Sequence, residues 1–220
     1  MAYNFPPTNL ATIITAQGKT QPVAASYTTS LTNVADIAYN DADGLGVQKV
    51  FAEDSISIRY TTAVTFGSGL TAIARIRGSA DVFGGPCLVL REAATGVCQT
   101  VICRINGQTW RNYQFNATQA WVIEAGASTA MVQRDISDGW WFKAYDDTVN
   151  LNLYVSYDSN PNGEPPTTGW RLLWTQGRRL YNGNAAGLGA AGWTQVGVGA
   201  YGFGNGAAGA GAVLESIRVA

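Results

Sequence analysis

In the last third of the chain, aromatic and aliphatic residues alternate along short runs punctuated by Asn, Gly and Pro. The runs are Trp140 to Tyr145, Leu151 to Tyr157, Trp170 to Trp174 and Thr194 to Phe203, followed by Ala212 to Val219. Alternation with period two sends every second side chain to one face, so these runs read as antiparallel strands with tryptophan in the core. No segment longer than two turns shows the 3.6-residue period of a buried helix. The chain is therefore expected to be all-β, and a sheet with one apolar face must bury that face against another sheet.

Length and charge bound the rest. A chain of 220 residues suits one β-sandwich, which commonly runs to roughly 200–250 residues as a unit. The formal net charge of −1 offers no electrostatic footprint for nucleic acid or an acidic membrane, and Arg75/Arg77 and Arg178/Arg179 read as solvated strand faces. No run approaches the roughly 18 apolar residues of a membrane span. Residues 1–20 lack a basic stretch followed by an apolar one, so no signal peptide is expected. Cys87, Cys98 and Cys103 make an odd count, against a secreted disulfide framework. Cys98 and Cys103 would face opposite sides of one strand and should not pair.

Upstream, Ser55 to Thr61 places Ile56, Ile58 and Tyr60 on one face, and Leu70 to Arg77 places Leu70, Ala72, Ala74 and Ile76 likewise. Val97 to Ile105 is followed by Asn106-Gly107, whose tolerance of positive φ suits a type I′ hairpin turn. About ten strands with these turn signals select an antiparallel sandwich of jelly-roll type over a small barrel. Residues 1–50 differ in texture. They are rich in Thr, Ala, Asn and Ser and read as an extended arm or edge strands beside a sandwich of residues 51–220. The arm's Tyr3, Phe5, Leu10, Ile13 and Ile14 are too aperiodic for a core of their own and too apolar for a solvated tail. They need a surface, either this sandwich or a neighbouring copy, and Leu10 to Thr15 could pair with Ala212 to Val219.

Chemistry-bearing motifs are scarce. Gly204-Asn205-Gly206-Ala207-Ala208-Gly209 matches a dinucleotide fingerprint, but no helix can follow it and no acidic residue stands about twenty positions on. Asp41-Ala42-Asp43-Gly44 lacks the first and last oxygens of a calcium loop, since Tyr39 and Val50 occupy those positions. Asn116-Ala117-Thr118 fits a glycosylation sequon. The chain has no histidine, which removes Ser-His-Asp and Cys-His catalysis and imidazole metal sites. The adjacent acids Glu53/Asp54 and Asp146/Asp147 would point to opposite faces of a strand, unlike the facing carboxylates of a glycosidase. Neither catalysis nor a metal or cofactor is expected.

Gly139-Trp140-Trp141-Phe142-Lys143-Ala144-Tyr145, Leu151 to Asp158 with its Ser156-Tyr157-Asp158 end, and Trp170-Arg171-Leu172-Leu173-Trp174 together resemble the concanavalin A-like lectin/glucanase superfamily in its laminin-G-like form. Cys87 to Glu92 resembles that fold's central Gly-Leu-Val-Leu strand, and Val196 to Tyr201 and Ala212 to Val219 resemble its closing strands. The resemblance implies a concanavalin A-like sandwich over roughly residues 55–220. The Glu-x-Asp-x-x-Glu run of the superfamily's hydrolases is absent, which implies a non-catalytic member. The calcium-binding acids and amides of its lectins have their nearest equivalents in Asp146, Asp147, Asn152, Asp158 and Asn160.

Glycan recognition needs an aromatic platform with polar groups converging on it. The candidates are Trp170, Trp174, Arg178, Tyr181 and Asn182, which border the irregular stretch 159–168 and the Gly-rich stretch 183–192; alternatively, Trp170 and Trp174, four apart and on one strand face, are core. Two functions follow. One is a virion component, a capsid decoration, head-fibre or tail-fibre subunit assembled in a host cytoplasm, with its own copies and neighbouring virion proteins as partners and surface glycans as ligands. The other is a free carbohydrate-binding module or lectin of a cell.

Overall fold

A computed structural model describes residues 24–41, 44–50, 54–61, 71–79, 84–104, 109–128, 139–156, 165–177, 193–202 and 210–219. The arm residues Tyr3, Phe5, Leu10, Ile13 and Ile14 lie outside them. After a single 3-10 turn at Ala24–Ser26, the chain forms strands β1 (Tyr27–Ser30), β2 (Ile37–Asp41), β3 (Gly44–Gln48), β4 (Ser55–Thr61), β5 (Thr71–Ser79), β6 (Gly85–Arg91) and β7 (Cys98–Arg104). It continues with β8 (Thr109–Phe115), β9 (Trp121–Ser128), β10 (Trp140–Asp146), β11 (Asn150–Ser156), β12 (Arg171–Gly177), β13 (Gln195–Gly202) and β14 (Gly211–Val219). They build two seven-stranded antiparallel sheets, β1-β4-β13-β6-β7-β8-β9 and β12-β11-β10-β5-β14-β3-β2. The resemblance places Cys87 to Glu92 in a central strand, and β6 is the middle strand of the first sheet. Arg104 pairs with Thr109 as β7 and β8 run antiparallel, and Asn106-Gly107 between them lies outside the described residues.

The two sheets bury a common core. Leu88, Leu90, Trp110, Val196 and Val198 of the first meet Ala74, Ile76, Trp140, Phe142, Leu153 and Leu214 of the second. At its centre Trp110 packs edge-on against Trp140 and Phe142, with ring centroids 5.2 and 5.5 Å apart. Trp140 and Phe142 face inward as the alternation predicts. Trp141, on the opposite face beside Arg75, is just as buried, so β10 is covered on both sides at its start.

The first sheet also buries both faces. Ile56, Ile58, Cys87, Val89, Cys98, Tyr113, Phe115 and Tyr201 form a second apolar cluster on its outer side, every member almost completely buried. The sheet manages this by rolling around the cluster. In a flat sheet β4 and β9, five strands apart, would be about 24 Å from one another. Here the Ile56 N–H donates to the Gln119 carbonyl and the Trp121 N–H to that of Asp54, at 3.1 and 2.7 Å, joining the two strands. Tyr201 accordingly reaches across to Tyr113 and Phe115, 5.1 and 5.4 Å away. Gly199 on β13 leaves the space that its neighbours occupy: a Cβ there would stand 2.8 to 3.0 Å from Ile56, Val89 and Cys87 side chains.

Gln119 fastens the seam. In the left-handed region at φ 65°, its amide nitrogen donates to the carbonyls of Ile56 and Ser30, at 2.6 and 3.2 Å, and its amide oxygen accepts from the Ser30 hydroxyl. One side chain thus satisfies two strand carbonyls where β1 leaves the edge of β4. Gln119→Ala strands those carbonyls, and urea melts should show a loss of about 1–3 kcal/mol.

With its apolar residues turned into the roll, β4 presents Ser55, Ser57 and Arg59 to the other sheet. The polar residues there are paired. Asp36, ahead of β2, meets Lys49 Nζ at 3.1 Å with both side chains buried, and also accepts from the Ser57 hydroxyl and the Val50 N–H. Burial raises the Asp36 pKa, but Ser57, Val50 and Lys49 together outweigh it and hold the carboxyl below its usual value. A depressed folded pKa means the pair stabilises the fold above the unfolded carboxyl value of about 3.9, and that this stabilisation disappears as pH falls through the folded value. Thermal melts at stepped pH should show that acid loss, and Asp36→Asn should flatten it while lowering stability at pH 7 by about 3–5 kcal/mol.

Candidate functional site

The outer face of the second sheet divides into three bands. At one end Glu215, the extra residue at a bulge of β14 against β5, is bracketed by Arg75 and Arg77 at 3.2 and 3.0 Å. This end is closed: Glu215, Arg77, Trp141 and Ser156 are all buried. At the other end Asp146 and Asp147 cap the β10–β11 turn. Asp146 accepts from the Thr148 N–H at 2.8 Å and Asp147 from the Val149 N–H at 3.0 Å. Thr148 is left-handed at φ 78°. Asp147 also accepts from the Asn150 N–H and the Asn152 amide, and the Asn150 backbone bond is the chief cause holding its carboxyl below the usual range.

The middle band is open and built differently. Lys143 on β10 stands opposite Tyr154 on β11, and its ammonium lies 4.3 Å from the centre of the Tyr154 ring and 4.6 Å from that of Trp170. Cations over aromatic faces at such distances are attracted to the ring quadrupole. Among the described residues no carboxylate pairs with Lys143. Its partial burial disfavours the charged form and lowers its pKa. Beside it Leu172, opposite Tyr154, is exposed, as are Thr167, Thr168 and Gly169 ahead of Trp170.

Local structure holds Trp170 in place. Its indole N–H donates to the Pro166 carbonyl at 2.8 Å, locking the segment that enters β12. Gly169 supplies the left-handed φ of 76° that turns this segment back over β11, against Ser156. β12 is also tied to the first sheet across the sandwich, where Gln176 and Gln99 exchange two amide hydrogen bonds of 2.6 and 2.8 Å.

The expectation that Trp170 and Trp174 share a face fails at a bulge. Leu153 pairs with Trp174 and Tyr154 with Leu172, so Leu173 is an extra residue and the period-two parity breaks within the strand. Leu173 and Trp174 both pack against the main core, while Trp170 remains on the outer face. Arg178, Tyr181 and Asn182 lie outside the described residues, as do Asp158 and Asn160. Lys143 and Tyr154 escaped the sequence reading. Their signal was present, a lysine directly after an inward phenylalanine and a tyrosine between two inward aliphatics, both on the polar phase of their strands. Among the described residues no three potential metal-ligating side chains come together.

The two tryptophans should therefore answer differently to truncation. Trp174→Ala opens a cavity in the core and should cost about 3–5 kcal/mol in denaturant melts. Trp170→Ala should cost under about 1 kcal/mol, as for surface contacts.

No family model matches the chain, and no curated protein does. Solved structures do match. A carbohydrate-binding module, CBM66 of Bacillus subtilis, superposes with a TM-score of 0.52 at 13% identity, covering 88% of this chain and 94% of that one. The lumenal domain of VIP36, in complex with Ca2+ and Man3GlcNAc, gives 0.53 at 9% identity, covering 89% and 83%. A GH43 protein of Bacillus licheniformis, BlXynB, gives 0.58 at 11% identity, with 91% of this chain matching 38% of that one. The fold is thus an antiparallel β-sandwich of concanavalin A-like type.

Proposed function

We propose that the chain is a non-catalytic glycan-binding sandwich and that the Lys143–Tyr154–Trp170 band is its binding platform. The observation carrying this reading is the open aromatic pair around Lys143, on a face whose two ends are occupied by structural ion pairs and turn caps. A pyranose offers an apolar C–H face that stacks on an indole, and its hydroxyls need nearby donors and acceptors. Lys143 and the exposed threonines at 167 and 168 supply them. Similarity in fold to sugar-binding proteins agrees with this assignment. The hollow of the rolled sheet is a poor alternative, because its own tyrosines and Phe115 fill it.

Two features support a non-catalytic reading. There is no histidine, and five of the described acids have structural partners: Asp36 is held by Lys49, Glu215 by two arginines, Asp146 and Asp147 by backbone N–H groups, and Glu92 by Thr95. No helix among the described residues is long and apolar enough to cross a membrane.

For the setting we propose a virion surface, where the sandwich serves as a capsid-decoration or fibre component and packs against copies of itself and neighbouring virion proteins. The Thr- and Ala-rich composition of residues 1–23 and the small residues of 183–192 and 204–209 suit close subunit packing. Electron microscopy of the native assembly tests it, and a free monomer with no particle would favour the cellular lectin instead.

Binding is tested by isothermal titration against a panel of oligosaccharides. The wild-type protein should bind at least one, and Trp170→Ala should abolish that binding while leaving the melting temperature within a few degrees. Chelator and Asp146→Asn/Asp147→Asn should leave the affinity unchanged. A calcium-dependent rise in melting temperature would assign the acidic turn a metal, since a ligand of the native state alone raises its stability.

A further inference from the structure

Resting on the glycan-binding reading, we propose that the saccharide taken by this platform carries an anionic group, a carboxylate or a sulfate, which pairs with Lys143. Three observations combine. Lys143 is a cation without a carboxylate partner among the described residues, whereas Arg75 and Arg77 on the same face share Glu215. Its ammonium is placed by two rings rather than left to reach into solvent, at 4.3 and 4.6 Å from Tyr154 and Trp170. A lysine on a sheet face ordinarily extends its head into water, whereas this one is drawn down between aromatic surfaces and partly desolvated.

An ammonium held this way has three donors, and the faces of the two rings accept only weakly. An oxyanion entering from the open side would give those donors a charge-assisted partner, stronger than a neutral hydroxyl. The sugar ring bearing the anion then falls over Trp170, which Pro166 holds fixed through the indole N–H. A neutral saccharide would use the same indole but leave the ammonium with only its two rings. The acids nearest in the sheet do not compete for this role, because Asp147 is engaged by the Val149 and Asn150 N–H groups and by Asn152.

The test uses the full chain with tetragalacturonate and sulfated lactose, each beside its neutral counterpart, the methyl ester and lactose. Isothermal titration is run on wild type, Lys143→Gln, Lys143→Arg and Trp170→Ala, with thermal melts confirming that each variant is folded. Wild type should bind one acidic probe at least tenfold more tightly than its neutral counterpart, and affinity should fall as salt rises. Lys143→Gln should remove that preference and Lys143→Arg should retain much of it. Which acidic probe is preferred identifies carboxylate or sulfate as the anion. Equal binding of neutral and acidic probes, or acidic affinity unchanged within twofold in Lys143→Gln, overturns the proposal and leaves glycan binding standing. If folded wild type binds none of the four but does bind a neutral member of the oligosaccharide panel, the anionic proposal alone falls; if it binds nothing in the panel, the glycan reading falls with it.

Discussion

One sheet of this protein has two apolar faces. β6 carries Leu88 and Leu90 on one side and Cys87 and Val89 on the other, all completely or nearly buried. A sheet in a two-layer sandwich has a partner for one face only. Burying the second by curling obliges β4 and β9 to approach each other, and it obliges β13 to contribute glycine where the side chains crowd. It also turns Ile56 and Ile58 into the roll, which leaves the serines of β4 facing the opposite sheet. The Asp36–Lys49 pair and its hydroxyl partners follow from that inversion, since polar groups so buried must find one another.

The same constraint bears on where a ligand can sit. A rolled sheet with an empty hollow would offer a concave groove. Here Tyr113, Phe115 and Tyr201 meet inside it, and Gln119 closes the seam. The outer face of the other sheet is less uniform. Its two ends are committed to structure through Glu215 and through the Asp146–Asp147 turn. The middle strip is the part of this face where aromatic rings, a cation and exposed backbone lie together.

Strand positions and alternation were legible in the residues because a half-buried strand repeats every two positions. Trp140 and Phe142 face the core as their spacing indicates. What spacing cannot say is which face of a two-sided sheet meets which neighbour. Ile56, Ile58 and Tyr60 do share a face, but it is the inside of the roll. Nor does spacing reveal a bulge. Leu173 looks like any strand residue, yet as an extra residue it reverses the phase between Trp170 and Trp174. Lys143 and Tyr154 were hidden for another reason: a polar-phase lysine is ordinary on any strand, and its distinction lies in the indole delivered to it from a segment more than twenty residues away.

That delivery links the fold to the proposed function. The bulge in β12 sends Leu173 and Trp174 inward, anchoring the strand in the core, while Gln176 clasps Gln99 across the sandwich. With β12 held at these points, the turn at Gly169 and the bond to Pro166 have little freedom, and Trp170 is presented as a fixed surface. A pre-ordered ring loses less conformational entropy on binding than a mobile one. Lys143 is constrained in the same way, since contact with two rings restricts a side chain that would otherwise sample many rotamers. The partial desolvation of its ammonium opposes the charged form in the free protein, and an arriving anion would relieve that opposition by supplying the missing counter-charge. Selectivity for an anionic group would then arise from an arrangement the strands already hold, with no loop required to close over the ligand.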